Sequence, residues 1–233
     1  MHRPSPDWFA NLSSQHCLAE FSLWSSNLIA LGDDLRRVGP NADIYHIDVA
    51  DGAFAPSLLF FPDLVAALRK QTDVPFHVHL MVDDAILLSQ VEQFAEAGAD
   101  LISVHVENLN AAKALSRIKE LGLRSGVVLR VETPVADVGP LIEGIDFLTL
   151  LGTRIGVKGQ GLDPTATTRL ETAAALIAAR ASKARCVLAA DGGIREETVP
   201  GLVQAGAETV VMGSLAYGAA DLPGRIKWLR ELS

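Results

Sequence analysis

Short apolar runs alternate along this chain with longer stretches whose apolar positions recur at helical spacing. The runs Glu20–Trp24, Ile44–Val49, Phe76–Met81, Leu101–Val106, Gly126–Val131, Phe147–Leu151, Cys186–Ala190 and Thr209–Met212 predict strands. Between them, Phe61–Gln71, Ile86–Ala97, Ala111–Leu121, Thr165–Ala181, Glu196–Ala205 and Ala219–Leu232 predict helices. Continuously apolar strands that alternate with helices imply a parallel sheet covered on both faces. Eight such units in 233 residues predict a single-domain α/β protein, a (β/α)₈ TIM barrel spanning 18–233. The alternative is an open doubly wound sheet. The phrases Ala97-Gly98-Ala99-Asp100 and Ala205-Gly206-Ala207-Glu208 each close a helix, with the glycine suited to the left-handed position that follows.

Residues 1–17 read as an N-terminal extension in which Trp8 and Phe9 favour some order, and they lack the continuous apolar core of a signal peptide. No apolar run is long enough to cross a membrane. The formal net charge is −8, which argues against nucleic acid or an anionic membrane as partner, since both need a basic face. Cys17 and Cys186 form neither a disulfide framework nor a zinc spacing, and a cytoplasmic setting fits.

Chemistry in a barrel collects where the strands end. The second run reads Tyr45-His46-Ile47-Asp48-Val49-Ala50-Asp51-Gly52. His46 and Asp48 are two apart, so both point into the barrel while Ile47 and Val49 point out. The third run places His79 at the same level, and the seventh ends in Asp191. A lone strand histidine is usually structural, and an Asp-Gly-Gly is usually a turn. Two imidazoles and two carboxylates falling at strand ends in one register form a candidate divalent-metal site. His77, deeper than His79, reads as structural. Asp51 reads as a turn or cap residue, and His105 either enters the pocket or holds a loop. A second constellation is glycine-rich: Gly156-Val157-Lys158-Gly159, Asp191-Gly192-Gly193 and Met212-Gly213-Ser214 follow the last three runs. Such loops let backbone amides approach an anion, commonly a phosphate.

From Glu20 onward these residues resemble the ribulose-phosphate 3-epimerase family. Ser22-Leu23-Trp24-Ser25-Ser26-Asn27 is similar to the family's first-strand motif, and His46-Ile-Asp-Val-Ala-Asp-Gly-Ala-Phe-Ala-Pro56 to its most specific signature. Val78–Val82, His105-Val-Glu107, Asp191–Ile194 and Gly213-Ser214 resemble the later motifs. The resemblance implies an isomerase that inverts C3 of a phosphorylated ketose, ribulose 5-phosphate or a related sugar phosphate. It implies one divalent ion (zinc, iron, manganese or cobalt) held by His46, Asp48, His79 and Asp191. Asp48 and Asp191 are implied as the two acid/base groups. Ser22, His79, Met81, Gly156, Val157, Lys158, Gly159, Gly192, Gly193, Gly213 and Ser214 are implied to hold the substrate, mostly at its phosphate. A homo-oligomer is expected.

The sequence departs from the family pattern at Ala50 and Leu151, where methionines are usual, and at Ala53, Phe61 and Arg130. The sixth-strand loop reads Arg154-Ile-Gly-Val-Lys-Gly-Gln160, in which Arg154 and Lys158 add charge at the phosphate end or recognise a second acidic group. These positions leave the particular sugar open. The alternatives are an isomerase or aldol-type lyase on another sugar phosphate, such as a tetrulose phosphate, and a sugar-phosphate-binding protein without turnover. A related decarboxylase family carries a Lys-x-Asp pair on its third strand, whereas this chain has His79-Leu80-Met81.

Overall fold

The structure, a computed structural model, describes residues 2–232. Eight parallel strands close on themselves in sequence order. They are β1 (Leu18–Ser22), β2 (Ile44–Ala50), β3 (Phe76–Met81), β4 (Leu101–His105), β5 (Arg124–Leu129), β6 (Phe147–Leu151), β7 (Val187–Asp191) and β8 (Thr209–Met212). The helices among the described residues are α1 (Trp8–Asn11), α2 (Leu31–Val38), α3 (Pro62–Leu68), α4 (Asp84–Ala97), α5 (Ala111–Glu120), α6 (Ala166–Ala178), α7 (Val199–Gln204), α8 (Ser214–Tyr217) and α9 (Leu222–Arg230). The chain is therefore the (β/α)₈ barrel that the alternation of runs predicts.

The differences in detail have local causes. β1 begins two residues earlier than expected, because Leu18 pairs with Thr209 to close the barrel, and Leu23–Ser25 turn into a 3₁₀ helix. α2 was not expected; it is only eight residues long and buries Leu31, Leu35 and Val38 at i, i+4 and i+7. Between β5 and β6 the chain makes only two 3₁₀ turns, at Val135–Val138 and Ile142–Gly144, in a segment interrupted by Pro134, Gly139 and Pro140. The expected final helix is split into α8 and α9, with a proline in the first turn of α9. Gly98 and Gly206 do take positive φ, 112° and 105°, after α4 and α7.

The two-residue strand period sorts the side chains. Ile47, Val49, Val78, Leu80, Ile102, Val104, Val127, Leu148, Leu188 and Val210 point outward into one continuous core beneath the helices. The barrel floor is apolar. Phe9 of α1 is buried with Leu18, Ile44, Leu101, Phe147, Val187 and Ala189, and the guanidinium of Arg124 lies 4.6 Å from its ring centroid. Arg185 donates to the carbonyls of Leu12 and Ser13. The segment preceding β1 is thus the plug of the barrel floor.

One ionic contact ties α3 to the start of β3 and β4. Arg69 is fully buried. It donates to Asp100 Oδ2 at 2.8 Å and to the carbonyls of Thr72 and Val74, and it stacks 3.8 Å from the Phe76 centroid. Burial pushes the Asp100 carboxyl up and the Arg69 guanidinium down, and their pairing offsets this only in part. Removing one partner strands the other charge out of water. Asp100→Ala is therefore expected to cost about 3–5 kcal/mol, measured as a lowered urea midpoint at unchanged slope. A loss under about 1 kcal/mol would mean that the carbonyls and the Phe76 ring suffice for Arg69.

Candidate active site

Above the floor, the inward positions of the first four strands turn polar. Ser22 on β1, His46 and Asp48 on β2, His79 on β3 and His105 on β4 are all buried. Pairing of Asp48 with His79 and of Ser22 with His46 sets them in adjoining layers. Asp191 at the end of β7 faces them from the opposite wall and is partly exposed.

The four predicted ligands converge. His46 Nε2 lies 3.3 Å from His79 Nδ1 and 3.2 Å from Asp48 Oδ1, and His79 Nδ1 is 3.4 Å from that same oxygen. Asp191 Oδ2 stands 3.8 and 3.9 Å from the two nitrogens. Donors that share one ion at about 2.0–2.2 Å lie roughly 3.3–3.6 Å apart when tetrahedral. The spacing therefore fits a divalent ion, and the mixed nitrogen and oxygen donors suit a first-row metal. With such an ion bound, these residues would hold it and it would supply positive charge at the cavity floor.

The electrostatics of the two carboxylates differ. Burial opposes ionisation of Asp48, but His46 and His79, both in close contact, outweigh it and hold the carboxyl well below its usual range. Burial raises Asp191, the more distant His46 lowers it only in part, and the charge of Asp48 raises it, for a net value of about 6. Burial disfavours the charge on His46, yet Asp48 and Glu20 raise that imidazole well above its ordinary value.

His79 has its own support. Its Nε2 is 2.9 Å from His105 Nε2, and His105 Nδ1 is 2.8 Å from Glu107 Oε2. Burial holds His105 down at about 4, so a neutral ring can donate from Nδ1 to Glu107 and accept at Nε2. His105 thus packs beside His79, stacked on it, without lining the cleft. Asp51 serves its loop: it accepts from the amides of Ala53, Phe54 and Asp83.

A cleft of about 400 Å³ opens above the carboxylates. Asp48, Asp191, Ser22, His79, Met81, Gly156, Val157, Lys158, Gly159, Gly192, Gly193, Gly213 and Ser214 all line it, whereas His46 lies beneath its floor. Gly192 and Gly193 have φ of 88° and 71°, and a Cβ on Gly193 would meet Leu162 at 2.8 Å. Backbone is thereby brought to the wall where an anion can approach it. Lys158 crosses the mouth: its Nζ donates to the Trp24 carbonyl at 2.6 Å and lies 4.6 Å from the Trp24 ring centroid. Ser57 donates to the carbonyl of Gly156 at 2.7 Å, which joins the loops after β2 and β6. Trp24, Ser25, Thr153, Arg154 and Arg195 also line the cleft. Of these, the sequence singled out only Arg154, for its charge; Trp24 and Ser25 lie in the first-strand motif without a role. Arg130 turns away and stacks 4.1 Å from the Phe54 ring centroid. Glu20, beneath His46, was not anticipated at all.

Comparison with known proteins gives one consistent result. The sequence model of the ribulose-phosphate 3 epimerase family matches residues 18–217. A ribulose-phosphate 3-epimerase of Bacillus subtilis is 34% identical over 90% of this chain and 96% of its own length. One from Aquifex aeolicus is 33% identical over 91% and 94%. Among solved structures, 3-hexulose-6-phosphate synthase from Salmonella typhimurium superposes with a TM-score of 0.69 at 20% identity, covering 92% of this chain and 97% of that one. Orotidine 5′-phosphate decarboxylase from Pyrococcus horikoshii superposes at 0.66 with 15% identity, over 92% and 98%. At those identities the two structures speak for the barrel alone.

The raised His46 fixes the sign of a pH effect. A protonated imidazole must shed its proton before it can ligate, so metal uptake releases protons and affinity rises with pH. Calorimetric titration with zinc in two buffers of different ionisation enthalpy is expected to show net proton release, with affinity still climbing above neutral pH because His46 is raised well above the ordinary imidazole range. Uptake without proton release would remove His46 from the ligand set.

Proposed function

This chain belongs to the ribulose-phosphate 3-epimerase family, and from that premise we propose that it inverts C3 of a phosphorylated ketose, ribulose 5-phosphate or a close relative, with Asp48 and Asp191 as opposed acid/base groups. The observation that carries the reading is the pair of carboxylates converging on one imidazole pair, with Asp48 held ionised and Asp191 shifted upward so that it takes up a proton far more readily.

The chemistry follows from that difference. An ionised Asp48 accepts the C3 proton, and the bonding electrons move into the C2 carbonyl to give an enediolate. A protonated Asp191 then returns a proton to C3 from the opposite face, and the carbonyl re-forms. The reverse epimer exchanges the two roles. His46, Asp48, His79 and Asp191 would hold a divalent ion, which would supply several kcal/mol of charge stabilisation for the developing oxyanion. Ser22, which donates to Asp48 Oδ2 at 3.1 Å, orients that carboxylate and contacts the substrate. Met81 and Leu151 form the apolar wall beside the reacting carbon. The amides of Gly192, Gly193, Gly213 and Ser214, with the Gly156–Gly159 loop, receive the phosphate. Lys158 adds charge over the mouth.

Among the described residues no helix is long and apolar enough to cross a membrane. The proposal places the protein in the cytoplasm, on its sparing use of cysteine. It also treats the protein as a homo-oligomer, because Leu28, Ile29, Leu58, Phe61 and Leu109 stand exposed on the loops after β1, β2 and β4.

In D₂O, the metal-loaded protein is expected to wash deuterium into C3 of ribulose 5-phosphate as the epimer appears, followed by proton NMR. Exchange without epimer would favour an isomerase with a single working acid/base. Binding without exchange on a panel of ketose phosphates would favour the binding-protein alternative. Asp48→Asn and Asp191→Asn should each reduce kcat at least about 10³-fold with the fold retained by circular dichroism, and substantial turnover in either would overturn the two-carboxylate scheme.

Lys158→Ala should raise KM about tenfold at nearly constant kcat, the signature of lost ground-state binding. An unchanged KM would confine Lys158 to tethering the loop against Trp24.

A further inference from the structure

Glu20 sits mid-strand on β1, fully buried, between inward Leu18 and Ser22, in an otherwise apolar run. It does not border the cleft and reaches no substrate. A carboxylate out of water is costly unless donors answer it. Here one oxygen takes both answers: Oε1 lies 2.7 Å from His46 Nδ1 and 2.5 Å from His77 Nδ1, while Oε2 has no hydrogen-bond partner. His77 is anchored in turn, with its Nε2 2.6 Å from Ser103 Oγ. Space for that hydroxyl comes from Gly126 on the neighbouring strand, where a Cβ would stand 2.1 Å from Ser103 Oγ. Four strands therefore contribute to fixing one carboxylate.

We propose that Glu20 is a positioning residue for the metal centre, which holds His46 by its Nδ1–H and so commits Nε2 of that ring to the ion. An ionised carboxylate can only accept, so the proton between Glu20 and His46 belongs to Nδ1. A neutral imidazole protonated there has its lone pair on Nε2, the atom that faces Asp48 and His79. A carboxylate behind a ligating histidine also fixes the ring's orientation and strengthens it as a donor.

A competing reading is that Glu20, His46 and His77 form a second cation site, since their donor atoms cluster closely. The distances decide against it. Separations of 2.5 and 2.7 Å are hydrogen-bond lengths, well short of the roughly 3.3 Å between donors that share an ion. His46 would also have to ligate through both nitrogens at once.

The inference rests on the metal reading of the four-ligand cluster, and the test separates the two. Zinc-loaded protein labelled with ¹⁵N-histidine is examined by long-range ¹H–¹⁵N correlation, with zinc counted by elemental analysis. One equivalent of zinc, with His46 protonated at Nδ1 and metallated at Nε2, is the expected result. His46 metallated through Nδ1, or a second zinc, overturns the role of Glu20 alone; no bound zinc overturns the metal reading as well. Glu20→Gln keeps the shape and an oxygen that can accept from both rings, but it removes the negative charge behind His46 and leaves an amide NH₂ unpartnered where Oε2 stood. It should weaken zinc about 10–100-fold in chelator competition and shift the visible bands of the cobalt-substituted protein, with the metal-free melting temperature little changed. Zinc affinity within threefold of the parent in a folded Glu20→Gln protein overturns the proposal. The tautomer measurement needs no variant and decides the matter even if that substitution fails to fold.

Discussion

Inside a closed barrel a polar side chain cannot turn away to solvent, so each one placed there must find its partner among its inward neighbours. In this protein that constraint organises most of the interior. Glu20 Oε1, His46, His77 and Ser103 join one another in a layer just above the apolar floor, while Glu20 Oε2 and the Thr149 hydroxyl stay without a partner. Asp48, His79, His105 and Asp191 occupy the layer above, nearer the mouth. The polar column comes mainly from β1 to β4, while β5 to β8 fill their inward positions with Val128, Phe147, Leu151, Val187, Ala189 and Val211 among others. The candidate acid/base and metal-ligating groups thus come chiefly from one half of the barrel. The later strands contribute a smooth wall, Asp191 and the glycine-rich loops.

This division reconciles an acidic chain with an anionic substrate. A net charge of −8 gives no general attraction for phosphate. In the proposed reading the loops after β6, β7 and β8 compensate locally, through backbone at Gly192 and Gly193 and through Lys158 and Arg195, all of which line the cleft. An amide is not counted in the net charge, yet it binds an oxyanion well when preorganised and screened from water.

The cluster of His46, Asp48, His79 and Asp191 was legible in the sequence, and the support beneath it, Glu20 with His77 and Ser103, was not, for a physical reason. His46 and Asp48 share a face through the strand period, and His79 and Asp191 fall at strand ends, so the alignment of the four follows from counting residues. The partner of Glu20 cannot be counted, because the contact joins β1 to β2 and β3 and depends on the register of a closed sheet. A single charge flanked by Ala19 and Phe21 in an apolar run was the one available signal. Placing the start of β1 two residues late left Glu20 at a strand end, where a charge needs no explanation. The floor plug escaped for a similar reason: nothing local to Phe9 says that it will bury itself among Leu18, Ile44 and Phe147. The left-handed glycines after α4 and α7, by contrast, are local features and could be read directly.

The different protonation of the two carboxylates follows from distance. Asp48 approaches both imidazole nitrogens at 3.2 and 3.4 Å, whereas Asp191 stands at 3.8 and 3.9 Å. The nearer group captures most of the stabilisation that His46 offers. Once ionised, it raises the cost of charging the farther one, so each carboxylate sharpens the other's preference. An epimerase needs a difference of this kind, since one face must offer a base while the other offers an acid. Two chemically identical side chains, set half an ångström apart in their distance from shared partners, acquire such a difference, and Glu20, acting from below on His46, holds the ring against which those distances are set.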